Sequence, residues 1–265
     1  MKQLKVTNPD INDLSSLKKM WKDIFKDEDS YIELFFNKKF KPETTLVIKE
    51  DGKIVSTLYA EETIIVTDKK EYKGIYLCGI ATREDKRGKG YAKEIIDEAL
   101  ERFSDYDIIY LIPANQGLFK FYEKFGLKPF TYLNEEKINL RETKEEKFTH
   151  KFEYETLNKF YENSGNGLYV KRSYEDFKAI YDCYKNIRIF EDGYIVYYIE
   201  NETLHITEYS FSFDRAEETG SYIIKENNLS GGFILKKHGE IPFSCYKGKV
   251  DFCSINNKYV NLLLN

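Results

Sequence analysis

At 265 residues the chain has room for one large domain or two small ones of about 150 residues each. Lysine and arginine number 41 against 45 aspartates and glutamates, a formal charge of −4, which weighs against a nucleic-acid binder that works by neutralising phosphates. Hydrophobic residues at 42% and charged residues at 32% supply both a core and a solvated surface, which excludes a disordered chain.

No apolar run approaches the roughly 18 residues of a membrane span. Met1-Lys2-Gln3-Leu4 opens a strand-like segment instead of a signal peptide, so a cytoplasmic protein with neither membrane nor nucleic-acid partners is expected. Cys78, Cys183, Cys245 and Cys253 are far apart and lack C-x-x-C spacing, which predicts buried free thiols and neither a zinc site nor a disulfide framework. His150, His205 and His238 are isolated, so no metal centre and no histidine triad is expected.

Residues 4 to 7 alternate as a short strand, and Asn8-Pro9-Asp10 supplies turn and capping chemistry. Leu14, Leu17, Trp21, Ile24 and Phe25 then recur at helical spacing. A second apolar face at Tyr31, Leu34 and Phe35 ends before Pro42. The period then shortens: residues 44–48, 54–59 and 63–67 are rich in β-branched and aromatic side chains, and Asp51-Gly52 joins the first two as a hairpin. An antiparallel meander is predicted. A further strand at 75–82 runs into the charged, glycine-rich stretch from Arg83 to Gly90. Ala92, Ile95, Ile96, Ala99, Leu100 and Phe103 make one buried helical stripe. A strand at 107–112 stops at Pro113, a short helix at 118–124 is capped by Gly126, and another strand begins at 129–133.

The run of charge from Glu135 to Lys147 predicts a solvated linker or an exposed helix face. Beyond it come a helix at 156–161, Ser173 as N-cap of a helix through Tyr184, strands at 187–190, 194–199 and 203–208, a helix near 214–225, and strand-like segments to the end. Two α+β units follow from this order, divided somewhere between 134 and 150.

The stretch from Ile80 to Ala92 carries the chemistry. A strand ends, Gly88 and Gly90 leave backbone N–H groups uncovered, and the positive end of a helix dipole faces the turn. Such a turn binds phosphate, and Arg87 and Lys89 add the charge that suits a diphosphate. It is not a Walker loop, because Tyr91-Ala92 follows Gly90 where Lys-Ser/Thr is needed, and Lys93 stands where a dinucleotide fingerprint requires glycine. A second block supports the first: Asn115 lies just past a strand end, Tyr122 follows seven residues later on a short helix, and Gly126 closes it.

These two blocks, in this order and separation, resemble the GCN5-related N-acetyltransferase (GNAT) superfamily, whose acetyl-CoA motif is filled here by Arg87, Gly90 and Ala92. The resemblance covers roughly residues 1 to 135. It implies a mixed, mostly antiparallel central sheet flanked by helices, and acetyl-CoA as co-substrate. By the same resemblance the backbone from Leu77 through Ile80, Ala81 and Thr82 pairs with the pantetheine arm, and Arg87, Gly88, Lys89, Gly90, Tyr91 and Ala92 hold the diphosphate. Asn115 contacts the arm, and Tyr122 lies near the thioester sulfur. A backbone N–H at Ile80 or Ala81 can then stabilise the oxyanion, and the Tyr122 phenol can protonate the thiolate as general acid. With 22 tyrosines in the chain, aromatic packing is the alternative role for Tyr122.

The order of elements after residue 150, with Leu111-Ile112-Pro113, is similar to enhanced-intracellular-survival-type acetyltransferases, in which a degenerate GNAT-like α+β domain follows the active one. The expected division is an acetyl-CoA-binding domain at 1–140 and a degenerate domain at 141–265. The chain ends at Asn265, so the further sterol-carrier-like domain of longer members is not expected. Glu61 and Glu62 are candidate general bases acting through water. Neighbours on a strand face opposite sides, so at most one points inward, and exposure of each is the expectation. In that group the terminal carboxylate reaches the acceptor site, which makes the Asn265 carboxylate a third candidate, with a packed or disordered tail as the alternative. The acceptor is expected to be a small-molecule or peptide amine. The competing class is a non-catalytic acyl-CoA-binding sensor or regulatory protein, and a homo-oligomer stays open.

Overall fold

The computed structural model describes residues 5–68, 70–184, 186–252 and 254–261. The chain opens with β1 (Val6–Thr7), α1 (Leu14–Phe25) and α2 (Asp29–Lys38). The helical spacing read from the sequence is realised: Leu17, Met20 and Trp21 of α1 and Ile32, Phe35 and Phe36 of α2 bury one shared face. At its centre the Trp21 ring lies 4.4 Å from Phe35 and 5.2 Å from Tyr59.

The meander is β2 (Leu46–Glu50), β3 (Lys53–Thr67) and β4 (Glu71–Thr82), all antiparallel. Asp51 and Gly52 both have positive φ (47° and 76°), the geometry of a tight hairpin turn. The two strands predicted at 54–59 and 63–67 are one continuous strand, β3. Ala60-Glu61-Glu62 does not break it, because both carboxylates have lysine partners and their backbone pairs with Ile75–Leu77 of β4.

Next come α3 (Tyr91–Arg102), β5 (Ile108–Leu111), α4 (Phe119–Glu123) and β6 (Lys128–Lys137). Helix α3 lays Tyr91, Ile95, Ile96 and Ala99 against Leu58, Ala60, Ile75 and Leu77. The predicted linker at 135–147 is corrected: β6 runs to Lys137, and its charged end is strand because Glu135, Glu136 and Lys137 pair with Phe233–Leu235. Irregular chain begins only after it.

The second half contains α5 (Tyr154–Glu162), β7 (Leu168–Val170), α6 (Tyr174–Tyr184), β8 (Ile187–Ile189), β9 (Tyr194–Glu200), β10 (Thr203–Tyr209), α7 (Phe213–Glu226), β11 (Gly231–Lys237), β12 (Ile241–Gly248) and β13 (Lys258–Tyr259). Ser173 caps α6 as its sequence implies, with Oγ accepting from the Asp176 amide at 3.2 Å and Asp176 accepting from the Ser173 amide at 2.7 Å. No helix among the described residues is long and apolar enough to cross a membrane.

Strand order explains how the halves join. Along the main path it is β1-β2-β3-β4-β5-β12-β6-β11-β10-β9-β8. The path reads alike from both sides of the β12–β6 pair: β4 and β5 are parallel with α3 as crossover, and β10 and β11 are parallel with α7 as crossover. Each half lends its last long strand to the other, since β12 inserts between β5 and β6 while β6 pairs with β11. The second half is thus a copy of the first, and neither sheet is complete without the exchange.

One polar cluster ties the copy together. Arg172 makes paired hydrogen bonds of 2.7 and 2.8 Å to the Glu208 carboxylate, which also accepts from Tyr194 and Tyr259 hydroxyls at 2.6 and 2.8 Å. All four residues are buried.

Candidate active site

The site begins with a defect in β4. Thr57 faces Ala81 and Tyr59 faces Cys78, so Gly79 and Ile80 together oppose the single residue Leu58. This is a β-bulge, which turns backbone groups out of the ladder. Gly79 is obligatory in it, with φ at +54° and a hypothetical Cβ that would lie 2.5 Å from the Tyr59 ring and 2.9 Å from Trp21. The sequence reading missed this residue, although a lone glycine inside an apolar strand is the signal for a bulge. Gly79→Ala is expected to cost about 2 kcal/mol by overpacking, visible as a lower midpoint in urea unfolding.

Beyond Tyr76 the strands part. β5 pairs with β4 only over Gly74–Tyr76, and the register then ends, leaving the Leu77–Thr82 edge facing an open wedge. That edge leads to Gly88 and Gly90, whose φ values are +77° and +87°, and around whose hypothetical Cβ positions nothing lies within 4 Å. The first turn of α3 has no side-chain cap, so the amides of Tyr91, Ala92 and Lys93 point outward unsatisfied. Neighbouring charges are spent locally, Arg83 on Asp85 and Lys86 on Glu50, whereas Arg87 and Lys89 have no ion pair among the described residues. The cradle is open, cationic and lined by free N–H groups, so it fits a diphosphate.

Tyr122 lies on α4, 7% exposed, in the same apolar cluster as Tyr91 and Ile80. Cys245, from the exchanged strand β12, belongs to that cluster too. Burial pushes the Tyr122 phenol above its ordinary range, and its hydroxyl has no hydrogen-bond partner among the described residues. The fold therefore gathers the bulge, the helix start and Tyr122. Asn115 stays on an exposed turn, which is tied to β12 by the Gln116 amide donating to the Pro242 carbonyl at 2.8 Å.

On the α2 side of β3 a cavity of about 1040 Å³ spans the seam between the halves. Both Glu61 and Glu62 line it, but unequally: Glu61 is drawn in, which corrects the expectation that it is exposed, whereas Glu62 is exposed as expected. Pairing with β2 stops at Leu58 and pairing with β7 starts at Ile65, and between them the Ala60 carbonyl accepts from the Thr44 hydroxyl at 2.7 Å and the Ile64 carbonyl from the Lys171 amide at 2.8 Å. The Glu61 side chain is 14% exposed, meets Lys39 Nζ at 3.2 Å and accepts from the Cys78 thiol at 3.9 Å. Burial, outweighing Lys39, raises its carboxyl above the ordinary range. Glu62 accepts from the Tyr106 hydroxyl at 2.6 Å and meets Lys41 at 3.2 Å, and these two hydrogen bonds lower its carboxyl. Cys78 and Cys183 are half-buried free thiols and Cys245 a buried one. Cys253 and Asn265 lie outside the described residues.

With this geometry in place, residues 5–130 match the acetyltransferase (GNAT) domain model. They form a GNAT acetyltransferase domain, whose co-substrate is acetyl-CoA. No protein of curated function matches the sequence. Among solved structures, a probable N-acyltransferase from Enterococcus faecalis is similar over 93% of this chain and 72% of its own, at 14% identity and a TM-score of 0.74. A GCN5-related N-acetyltransferase from Kribbella flavida covers the same shares at 11% identity and 0.65. Eis1 from Mycobacterium abscessus covers 93% and 73% at 9% identity and 0.66. These likenesses extend the GNAT fold across the second half, which the domain model does not reach. There the second wedge, between β10 and β11, is closed: Lys237 reaches across it to donate to the Tyr209 carbonyl at 2.8 Å, its amine pushed down to about 8 by burial. The start of α7 is capped by its own Ser212, which accepts from the Arg215 amide.

Proposed function

We propose that the chain is a cytoplasmic N-acetyltransferase that moves the acetyl group of acetyl-CoA to a primary amine by direct attack in a ternary complex. On this reading residues 1–140 hold the co-substrate and residues 141–265 are the degenerate copy, which returns β12 to complete the active sheet. The observation that carries it is the free edge of β4, with a bulge near its start and an uncapped, cation-flanked helix turn beyond its end.

Arg87, Gly88, Lys89, Gly90, Tyr91 and Ala92 would hold the diphosphate, Ile80, Ala81 and Thr82 the pantetheine arm through backbone pairing, and Asn115 the arm's far side. Acetyl-CoA supplies the activated acyl group. An amide at the bulge, that of Ile80 or Ala81, would donate to the acyl oxygen as charge gathers there, which a preorganised donor does without reorganisation. Tyr122, kept protonated by burial and holding an unused hydroxyl, is the group that gives a proton to the departing sulfur.

The test is release of the CoA thiol across a panel of small-molecule and peptide amines. Arg87→Ala is expected to raise KM for acetyl-CoA about tenfold or more, as one lost charge-assisted contact would, and to leave kcat nearly unchanged. Unaltered KM in this variant would remove the loop from the proposal.

A further inference from the structure

Acyl transfer leaves the attacking nitrogen with a surplus proton, and two carboxylates of the cavity stand as candidates to take it. Glu62 is exposed, and hydrogen bonds from Tyr106 and Lys41 hold its carboxyl below the ordinary range, which makes it the weaker base. Glu61 is drawn in and touches the Cys78 thiol, and Cys78 immediately precedes the bulge at Gly79 and Ile80. Of the two, Glu61 is the one beside the strand segment where the acyl oxygen would be held.

What governs Glu61 comes from the other half of the chain. Asp176 stands in the first turn of α6, where the helix dipole favours a negative charge. One of its oxygens accepts from the Ser173 amide and hydroxyl, each at 2.7 Å, and the other meets Lys39 Nζ at 2.5 Å. Burial opposes this charge, but Lys39 and Ser173 outweigh it and keep the Asp176 carboxyl below its ordinary range. The same Lys39 Nζ lies 3.2 Å from Glu61. One lysine is therefore divided between a fixed anion of the second half and a carboxylate of the first. Burial, with the Asp176 charge behind it, raises the Glu61 carboxyl against the pull of Lys39 and of Lys41. The other groups that feel Glu61, the Cys78 thiol and the phenols of Tyr31, Tyr76 and Tyr110, are pushed up by burial and stay neutral.

We propose that the second half sets the strength of the acceptor-side base: Asp176 engages Lys39, so that Lys39 only partly neutralises Glu61, and Glu61 takes the proton of the attacking amine through one water. This rests on the acetyl-transfer reading above. The neutral amine nitrogen bonds to the acyl carbon and the carbon–sulfur bond breaks. The surplus proton on nitrogen passes to Glu61, and Tyr122 gives its own to the sulfur. Solvent then removes the proton from Glu61 and restores that of Tyr122. Asp176 and Lys39 act through Glu61 and are positioning residues, which gives the degenerate half a part in the chemistry besides lending β12.

Carbon-13 titration of the Glu61 carboxyl in the CoA-loaded protein, assigned with Glu61→Gln, reads its ionisation directly, and kcat against pH with butylamine as acceptor reads the consequence. Asp176→Asn keeps an oxygen for Ser173 and is expected to move both the titration and the acid limb of kcat to lower pH, because Lys39 then serves Glu61 alone. Lys39→Met is expected to move both to higher pH. Glu61→Gln should lower kcat by about 10²–10⁴-fold and abolish the limb. The ionisation of the amine itself is common to all variants and drops out of the comparison. Shifts of the same sign in Asp176→Asn and Lys39→Met, no shift in either, or an undiminished kcat in Glu61→Gln overturns the proposal while leaving acetyl transfer standing. Opposite shifts in a protein that releases no thiol with any amine of the panel overturn acetyl transfer and leave the coupling of Glu61 to Asp176. Acetyl-CoA affinity serves as the folding control for every variant.

Discussion

Replacing Tyr122 with phenylalanine is expected to lower kcat by about 10²–10⁴-fold, the usual worth of a positioned proton donor, while acetyl-CoA still binds. The ring keeps its place among Tyr91, Ile80 and Cys245. The hydroxyl leaves no broken hydrogen bond behind, since it has no partner among the described residues. Stability should therefore stay within about 1 kcal/mol of the parent. Because burial lifts the phenol above its ordinary value near 10, activity should show no alkaline limb from this group below that pH. Steady-state thiol release and calorimetry with acetyl-CoA separate the two effects. An unchanged kcat would reduce Tyr122 to a packing residue.

Glu208→Ala is expected to cost about 3–5 kcal/mol, because it strands the buried Arg172 guanidinium without its carboxylate. The cost concentrates here for a structural reason: Arg172 stacks 4.1 Å above the Tyr161 ring and donates to the Asn261 carbonyl at 2.8 Å, and neither contact replaces the lost negative charge. The pH dependence has a definite sign. Burial pushes the Glu208 carboxyl up, and the charge and hydrogen bonds of Arg172 outweigh it, leaving the folded-state pKa below the ordinary range. A depressed folded pKa contributes stability that is complete above the unfolded value of about 4.3 and is lost as pH falls further. Thermal unfolding from pH 7 downward should show this acid loss in the parent and a smaller one in Glu208→Gln. Identical acid profiles would mean that the pair does not carry the linkage.

Tyr122 and Glu208 also mark the two kinds of information in the chain. Tyr122 was legible because its seven-residue spacing from Asn115 is local and because glycines bracket the block. The loop before α3 was legible for the same reason: Gly88 and Gly90 take left-handed φ values, a property of the residue itself. Helices α1 and α3 were visible in apolar periodicity. Glu208, by contrast, sits in an ordinary alternating strand, and nothing nearby in sequence announces Arg172, 36 residues earlier. β7 escaped notice because three residues are too few for a period. The bulge at Gly79 had a local signal that was passed over.

By itself the amino-acid sequence determined the identity and order of the elements, the glycine loop before α3, and the block containing Tyr122, since all of these depend on residues within about two helical turns of each other. Tertiary structure alone decided the exchange of β6 and β12, the closing of the second wedge by Lys237, and the drawing of Glu61 into the cavity. Strand pairing and charge matching across 100 residues or more depend on which surfaces meet, and the pattern along a single strand is the same whichever partner it finds.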